Sequence, residues 1–473
     1  MPTARWDSAA AAHLLSRAAF GGTADEIEKL RGLGLYRAVD ALLDAPRDNV
    51  AAPELAKPRD LKALRMEARA AKQDGDRSKA KQMRKEERDE MLDLRAWWLQ
   101  RMATTSAPLL EKMTLFWHGH FATSFEKVKD GYWMWLQNET LRTHALGAFA
   151  QLTKAMLRDP AMMRYLDLQQ SRPEHPNENW ARELMELFTI GIGNYTEQDV
   201  KEGARAFTGY RLDLTTQQSR FVFRQHDGGT KKFLGRVGNF GGDDIIDILA
   251  QQPACGQFLG KKLCRFFIED EPAPALVAAV AERLRAHNLE LKPVLREIFT
   301  AAEFYDPRVQ RAQIKSPTQF VVQTCKVLRA DLPAPLVAQN AMRQMGQMLF
   351  QPPNVKGWDG GKSWISTSTL LFRNNFANYL INGDGMLPVR RAAALAEVKR
   401  DPIDVSKIVS ADIRASKEKL IAHLSQHVLQ MAPSAKDTLA FSKFLDARKD
   451  DGSDDTIRGL LHLMMSTPVY QLT

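Results

Sequence analysis

Residues 175–200 read HPNENWARELMELFTIGIGNYTEQDV, and this stretch places Glu178, Asn179, Arg182, Glu183 and Glu186 close together. On a 3.6-residue period Trp180, Leu184, Leu187 and Phe188 form one apolar stripe, with Arg182, Glu183 and Glu186 on the opposite side. The i,i+4 spacings Glu178–Arg182 and Arg182–Glu186 predict a carboxylate–guanidinium–carboxylate ladder. Carboxylates held beside an arginine can split their pKa values and divide the work of acid and base. Glu178, Glu183 and Glu186 are therefore the candidate catalytic residues, with Asn179 and Arg182 as candidate substrate-binding groups. An ordinary solvated helix face has the same composition, and the sequence leaves both readings open.

Three further constellations could join this one. In KMTLFWHGHFATS (112–124), His118 and His120 stand two residues apart. In extended backbone both imidazoles would point to one face and, with a nearby carboxylate, could grip a divalent metal ion, which is the candidate cofactor. The alternative is a pair of histidines hydrogen-bonded in a core beside Trp117 and Phe121. In QNETLRTHALGAF (137–149), Arg142 follows Asn138 by four residues, so both can address one spot; either a neighbouring helix or a ligand would serve. In FQPPNVKGWDGGKSWISTSTLLFRNNF (350–376), prolines and glycines frame Lys356, Trp358 and Trp364, a composition suited to a loop over a pocket or to a rigid Ω-loop. Arg142, Arg205, Lys356 and Trp358 complete the candidate substrate-binding set, whose arginines and lysine would select an anionic substrate. If these groups share one pocket, the expected chemistry is metal-assisted hydrolysis or transfer. The competing expectation is a non-catalytic helical protein that binds an envelope polymer or a protein partner.

The elements that must position these residues are mostly helices. Helical patterns begin at Asp7/Ser8 and at Thr23, where Glu26 three residues on makes a capping box, and a third ends at Pro46. Residues 59–104 read as a protruding charged helical hairpin broken near QDGDRS, its second arm anchored by Trp97 and Trp98. Short aromatic and β-branched runs in 207–236 predict a small antiparallel sheet of two or three strands. A loose repeat relates 258–307 to 420–472, each reading as three helices and an aromatic tail, with 8–45 a weaker third copy. The predicted fold is mainly α: a bundle-like multi-helix body with that small sheet and the charged hairpin. One unit of 473 residues is expected, in sub-regions 1–58, 59–104, 105–257, 258–384 and 385–473.

Bulk properties exclude several classes. The net charge of +9 is spread through interleaved acids and bases, as in KQMRKEERDEMLDLR, which argues against a specific nucleic-acid partner. Cys255, Cys264 and Cys325 have no CxxC spacing and read as reduced small hydrophobes. No apolar run is long enough to span a bilayer. MPTARWDSAAAAHLLSRAAFGG is not a secretory signal, so the expected compartment is the cytoplasm, or the periplasm or exterior if a leader has been removed. No G-x-S-x-G, HExxH or Walker A motif, and no post-strand GxGxxG, is present. The expected partner is a small-molecule or polymer substrate.

The runs KMTLFWHGHFATS, NENWARELMELFTIGIGNYTEQDVKEGARAFTGY, HDGGTKKFLG and MGQMLFQPPNVKGWDGGKSWISTSTLLFRNN occur in an order and wording that resemble the bacterial domain-of-unknown-function family 1800. HLLSRAAFGGTADEIEKL and LLHLMMSTPVYQLT look like that family's two ends, so the resemblance spans nearly the whole chain. It implies a family whose activity is unassigned and whose members are often exported and encoded beside proteins resembling sulfatases or phosphatases. It supplies no catalytic assignments.

Overall fold

Helix starts follow the caps that the sequence offers. In the computed structural model, which describes residues 5–58, 77–383, 400–448 and 452–473 with scattered positions between 63 and 70, the first helix is Ser8–Ala18. Asp7 Oδ1 accepts from Ala10 N at its start. The Thr23/Glu26 capping box forms in both directions ahead of Ala24–Leu33, and Leu35–Leu43 ends before Pro46. Proline stands in the first turn of Pro108–His120, Pro253–Phe267, Pro274–Ala286, Pro317–Val327 and Pro335–Gln344, where its missing N–H leaves no helical bond unmade. Pro253 also separates Gly242–Ala250 from Pro253–Phe267.

The architecture is mainly helical with a small β component. Strands β1 (Tyr210–Asp213) and β2 (Gln218–Phe221) pair antiparallel, and β3 (Lys231–Phe233) and β4 (Arg236–Gly238) make a second, separate hairpin. The single sheet expected over 207–236 is thus two hairpins, because Phe223–Gln225 coils into a short 3₁₀ turn between them. Both repeat segments have the expected order. Pro253–Phe267, Pro274–Ala286 and Leu291–Thr300 lead to Ala302–Tyr305; Lys417–Leu424, Ala435–Ala447 and Asp454–Met465 lead to Val469–Gln471.

The second arm of the charged hairpin is the helix Arg77–Thr104; most of the first arm and the break at QDGDRS lie outside the described residues. The C-terminal half of the arm buries Met91, Leu94, Trp98, Leu99 and Met102, each a side chain whose removal from water contributes about 1.5–3 kcal/mol. Trp97 Nε1 donates to Ala51 O and ties the arm to the N-terminal region.

Two apolar cores organise the described residues. One draws on the N-terminal helices and residues up to Val309; the other joins the charged arm to the C-terminal half. Helix Pro108–His120 serves both, sending Leu109, Met113, Phe116 and Trp117 into the first and Leu115 into the second. The three cysteines are buried and unpaired. No helix among the described residues is long and apolar enough to cross a membrane.

Candidate functional site

The histidine pair sits on the last turn of helix Pro108–His120, not on extended backbone. Helical residues two apart project roughly 200° from one another, so the two rings diverge. His118 lies between Trp98, Phe350 and Trp358, and its Nε2 accepts from Phe350 N at 3.0 Å. His120 Nε2 bonds Phe188 O at 3.0 Å and its Nδ1 meets Lys262 Nζ at 3.1 Å. A carbonyl only accepts, so the His120 hydrogen is on Nε2 and the Nδ1 lone pair faces Lys262. Burial holds the His118 imidazole neutral, with its pKa lowered to about 3, and burial aided by Lys262 depresses His120 as well. The lone pairs a metal would need, Nε2 of His118 and Nδ1 of His120, already receive protein donors. The two rings are therefore not a ligand pair, and among the described residues no group of three or more His, Cys, Asp or Glu could hold an ion.

Helix Glu178–Glu183 begins with Asn177 capping Asn179 N and runs directly into a π-helical turn, Leu184–Thr189, marked by the Ile190 N to Met185 O bond of 3.1 Å. The turn changes the predicted ladder. Arg182 does pair with Glu178 at 3.1 Å, but its other partner is Glu197 at 2.8 Å. Glu186 instead accepts from Tyr195 Oη at 3.1 Å. Glu183 is half-buried; burial first and then Glu186 push its pKa up, against the pull of Arg182 and Lys356. Asn179 is exposed.

The turn also ends with the Leu187 and Phe188 carbonyls free of helical partners, and these receive Lys262 Nζ at 3.0 Å and His120 Nε2. His120, Leu187 and Lys262 thereby form one wall of a cleft of about 500 Å³. Loop 350–366 forms another, through Lys356, Trp358, Asp359, Gly360, Gly361 and Trp364. Phe350 anchors the loop in the left-handed region at φ 61°, its N–H on His118 and its carbonyl taking Phe125 N. Gly357, at φ 85°, lies so close to helix Pro108–His120 that a Cβ there would stand 2.2 Å from Gly119 O.

The cleft's electrostatics are one-sided. Arg17, Lys112, Lys262, Arg265 and Lys356 line it against Asp270 and Asp359. Arg17 is 1% exposed; its Nη2 donates to Val309 O at 2.7 Å, while Nε and Nη1 have no acceptor among the described residues. Lys112 is 5% exposed; its Nζ donates to Gln319 Oε1 at 2.9 Å and lies 5.3 Å from the Phe20 ring centroid and 5.5 Å from that of Phe266. Burial lowers the Lys112 ammonium to about 7, with Arg17 adding to the effect, and lowers Lys262 likewise to about 7, with Arg265 adding. Burial takes Arg17 down to about 9 despite Asp270.

Of the residues singled out from sequence, His120, Lys356 and Trp358 line this cleft; Glu183 feels Lys356 from beside it. The structure places Arg142, Arg205, Glu178 and Arg182 elsewhere. Arg142 is 1% exposed and bound to Glu111 by Nε at 2.6 Å and Nη2 at 2.9 Å, with Asn138 and Glu139 completing its shell. Trp98 and Arg101 donate to the same Glu111 carboxylate, so Arg142 belongs to a closed structural network. Arg205 is committed to Glu202 at 2.8 Å and Asp227 at 2.7 Å, bracing the turn before β3. Glu178 and Arg182 close an ion pair with Glu197 and do not line the cleft.

Arg17, Lys112, Lys262, Arg265, Phe258 and Phe266 were not singled out. One signal was available: Phe258, Lys262 and Phe266 recur every four residues on Pro253–Phe267, which puts an amine and two rings on one helix face. No curated protein and no solved structure matches the chain significantly. The sequence profile of one family, described as "Protein of unknown function (DUF1800)", matches residues 13–472. Because that match takes in nearly the whole length of the chain, the chain belongs to the DUF1800 family.

Proposed function

We propose that the cleft is the working site of this protein and that it receives a small anionic molecule, a carboxylate, sulfate or phosphate carrying an apolar portion. The observation that carries this is the gathering of buried Arg17 and Lys112 and part-buried Lys262 around one cavity, with no ion pair to any carboxylate among the described residues. A buried cation with no ion-pair partner is unfavourable by several kcal/mol, and a fold that keeps Arg17 and Lys112 in this state beside Lys262 gains from them when an anion arrives. Phe258, Phe266 and Trp358 supply the surface for the apolar part. Amines lowered to about 7 are also matched to proton transfer at neutral pH, which favours an enzyme over a passive scaffold.

Thermal unfolding of the full chain in sodium phosphate, sulfate, pyruvate and benzoate, against chloride at equal ionic strength, tests the reading. An anion at one hundred times its Kd should stabilise the fold by about 2.7 kcal/mol. Arg17→Met and Lys112→Met should abolish that gain. The reading is wrong if no anion exceeds the chloride control, or if the gain survives both substitutions.

A further inference from the structure

Lys262 differs from the other cations of the cleft in how its nitrogen is held. Nζ donates to two fixed acceptors, His120 Nδ1 at 3.1 Å and Leu187 O at 3.0 Å, and lies 4.8 Å from the Phe258 ring centroid. A neutral amine has two N–H bonds and one lone pair. With Cε and both hydrogens assigned to the wall, the remaining tetrahedral direction is the one left for a ligand in the cleft that Lys262 lines. The Leu187 acceptor exists because the π-helical turn ends there. No carboxylate among the described residues pairs with this lysine, and burial with Arg265 nearby favours the neutral form, its pKa about 7.

We propose that Lys262 is a nucleophile that forms an imine with a carbonyl-bearing anion, of the 2-oxo acid class, whose carboxylate is received by Arg17 and Lys112. The proposal rests on the anion-binding reading of the cleft. In the first step the Nζ lone pair forms a bond to the carbonyl carbon as the C=O π pair moves onto oxygen. The proton that nitrogen then sheds has His120 Nδ1 as its nearest base and is returned to that oxygen, giving a neutral carbinolamine. Departure of the hydroxyl as water, with the second nitrogen proton as its source, leaves C=N. One amine and one carbonyl yield one imine and one water, with no oxidant or reductant. His120 is here a positioning residue and proton carrier, fixed by its Nε2–H on Phe188 O.

The test is trapping with sodium cyanoborohydride on the full chain, followed by intact mass measurement and peptide sequencing. Pyruvate should add once per chain, at Lys262, and Lys262→Met and Lys262→Arg should lose the adduct while keeping the wild-type circular dichroism spectrum. Lys112→Met should keep Lys262 as the site and slow its labelling by pyruvate but not by acetaldehyde, which has no charge to place. If pyruvate raises the unfolding midpoint but labels Lys262 no faster than surface lysines, anion binding stands and the nucleophile is refuted. If pyruvate and acetaldehyde label Lys262 at equal rates in wild type and in Arg17→Met, the nucleophile stands and the anion reading falls. A dominant adduct at Lys112 would overturn the assignment.

Discussion

Replacing Lys112 by methionine should make the protein more stable, and the size of the gain should depend on pH. The Lys112 ammonium titrates at about 7 in the fold, against an ordinary value of 10.5. At about 1.4 kcal/mol per unit, holding this group at pH 7 disfavours the fold by roughly 4 kcal/mol, falling to roughly 2 kcal/mol at pH 9. The sign follows from proton counting. Between the two pKa values the unfolded chain binds more protons than the folded one, so wild-type stability contributed by this lysine rises with pH across that window. Methionine fills a similar volume between Phe20 and Phe266 but leaves Gln319 Oε1 without its donor, a loss of about 1–3 kcal/mol. The net expectation is that Lys112→Met is more stable by about 1–3 kcal/mol at pH 7 and near neutral at pH 9. Urea unfolding of both proteins at the two pH values measures it; Lys262, unchanged in both, cancels from the comparison. A variant that is less stable than wild type at pH 7, or a difference that ignores pH, would refute the view that this cation is kept for a ligand.

Glu111→Gln should show the opposite behaviour, losing about 3–5 kcal/mol in urea unfolding at any pH near neutral while leaving anion binding intact, because Arg101 and Arg142 would remain buried without their shared carboxylate. Gly357→Ala places a Cβ against Gly119 O, so loop 350–366 must lift; anion affinity should fall with only about 1–3 kcal/mol of stability lost, read by titration calorimetry and by unfolding. On acidification from pH 6.5 to 4 the fold should weaken, since buried His13 and His118, both lowered to about 3, and His120 stay unprotonated while their unfolded counterparts bind protons. Asp159, raised by burial to about 7, opposes this by holding a proton the unfolded chain sheds, so Asp159→Asn should steepen the acid slope of unfolding free energy.

The long amphipathic helices and their caps were readable because local pattern and tertiary demand agree; the Thr23/Glu26 box and the Trp97/Trp98 anchor are examples. The histidine pair was misread because helix Pro108–His120 is buried nearly all round, its polar Glu111, Lys112, Thr114, His118 and His120 included, and so shows no clean apolar stripe to contradict an extended reading. Arg142 was ambiguous for a different reason: whether a guanidinium meets a ligand or a buried carboxylate depends on Glu111, thirty-one positions earlier on another helix. Lys112 and Lys262, unlike Lys356, escaped notice because the packing of distant segments, which the local sequence does not show, is what draws them out of water.

The π-helical turn Leu184–Thr189 holds one residue more than an α-helical path would require, and that surplus has a mechanical meaning. Deleting a single residue there would let the segment relax into a regular helix, but would swing the chain on one side by about 100° relative to the other. Leu187 and Phe188 would turn away from Lys262 and His120, undoing the amine's tether and fixing of the ring tautomer in one stroke. The irregularity thus behaves as a clamp cut to length, and a chain shortened there could keep its helices while letting go of the nitrogen they hold.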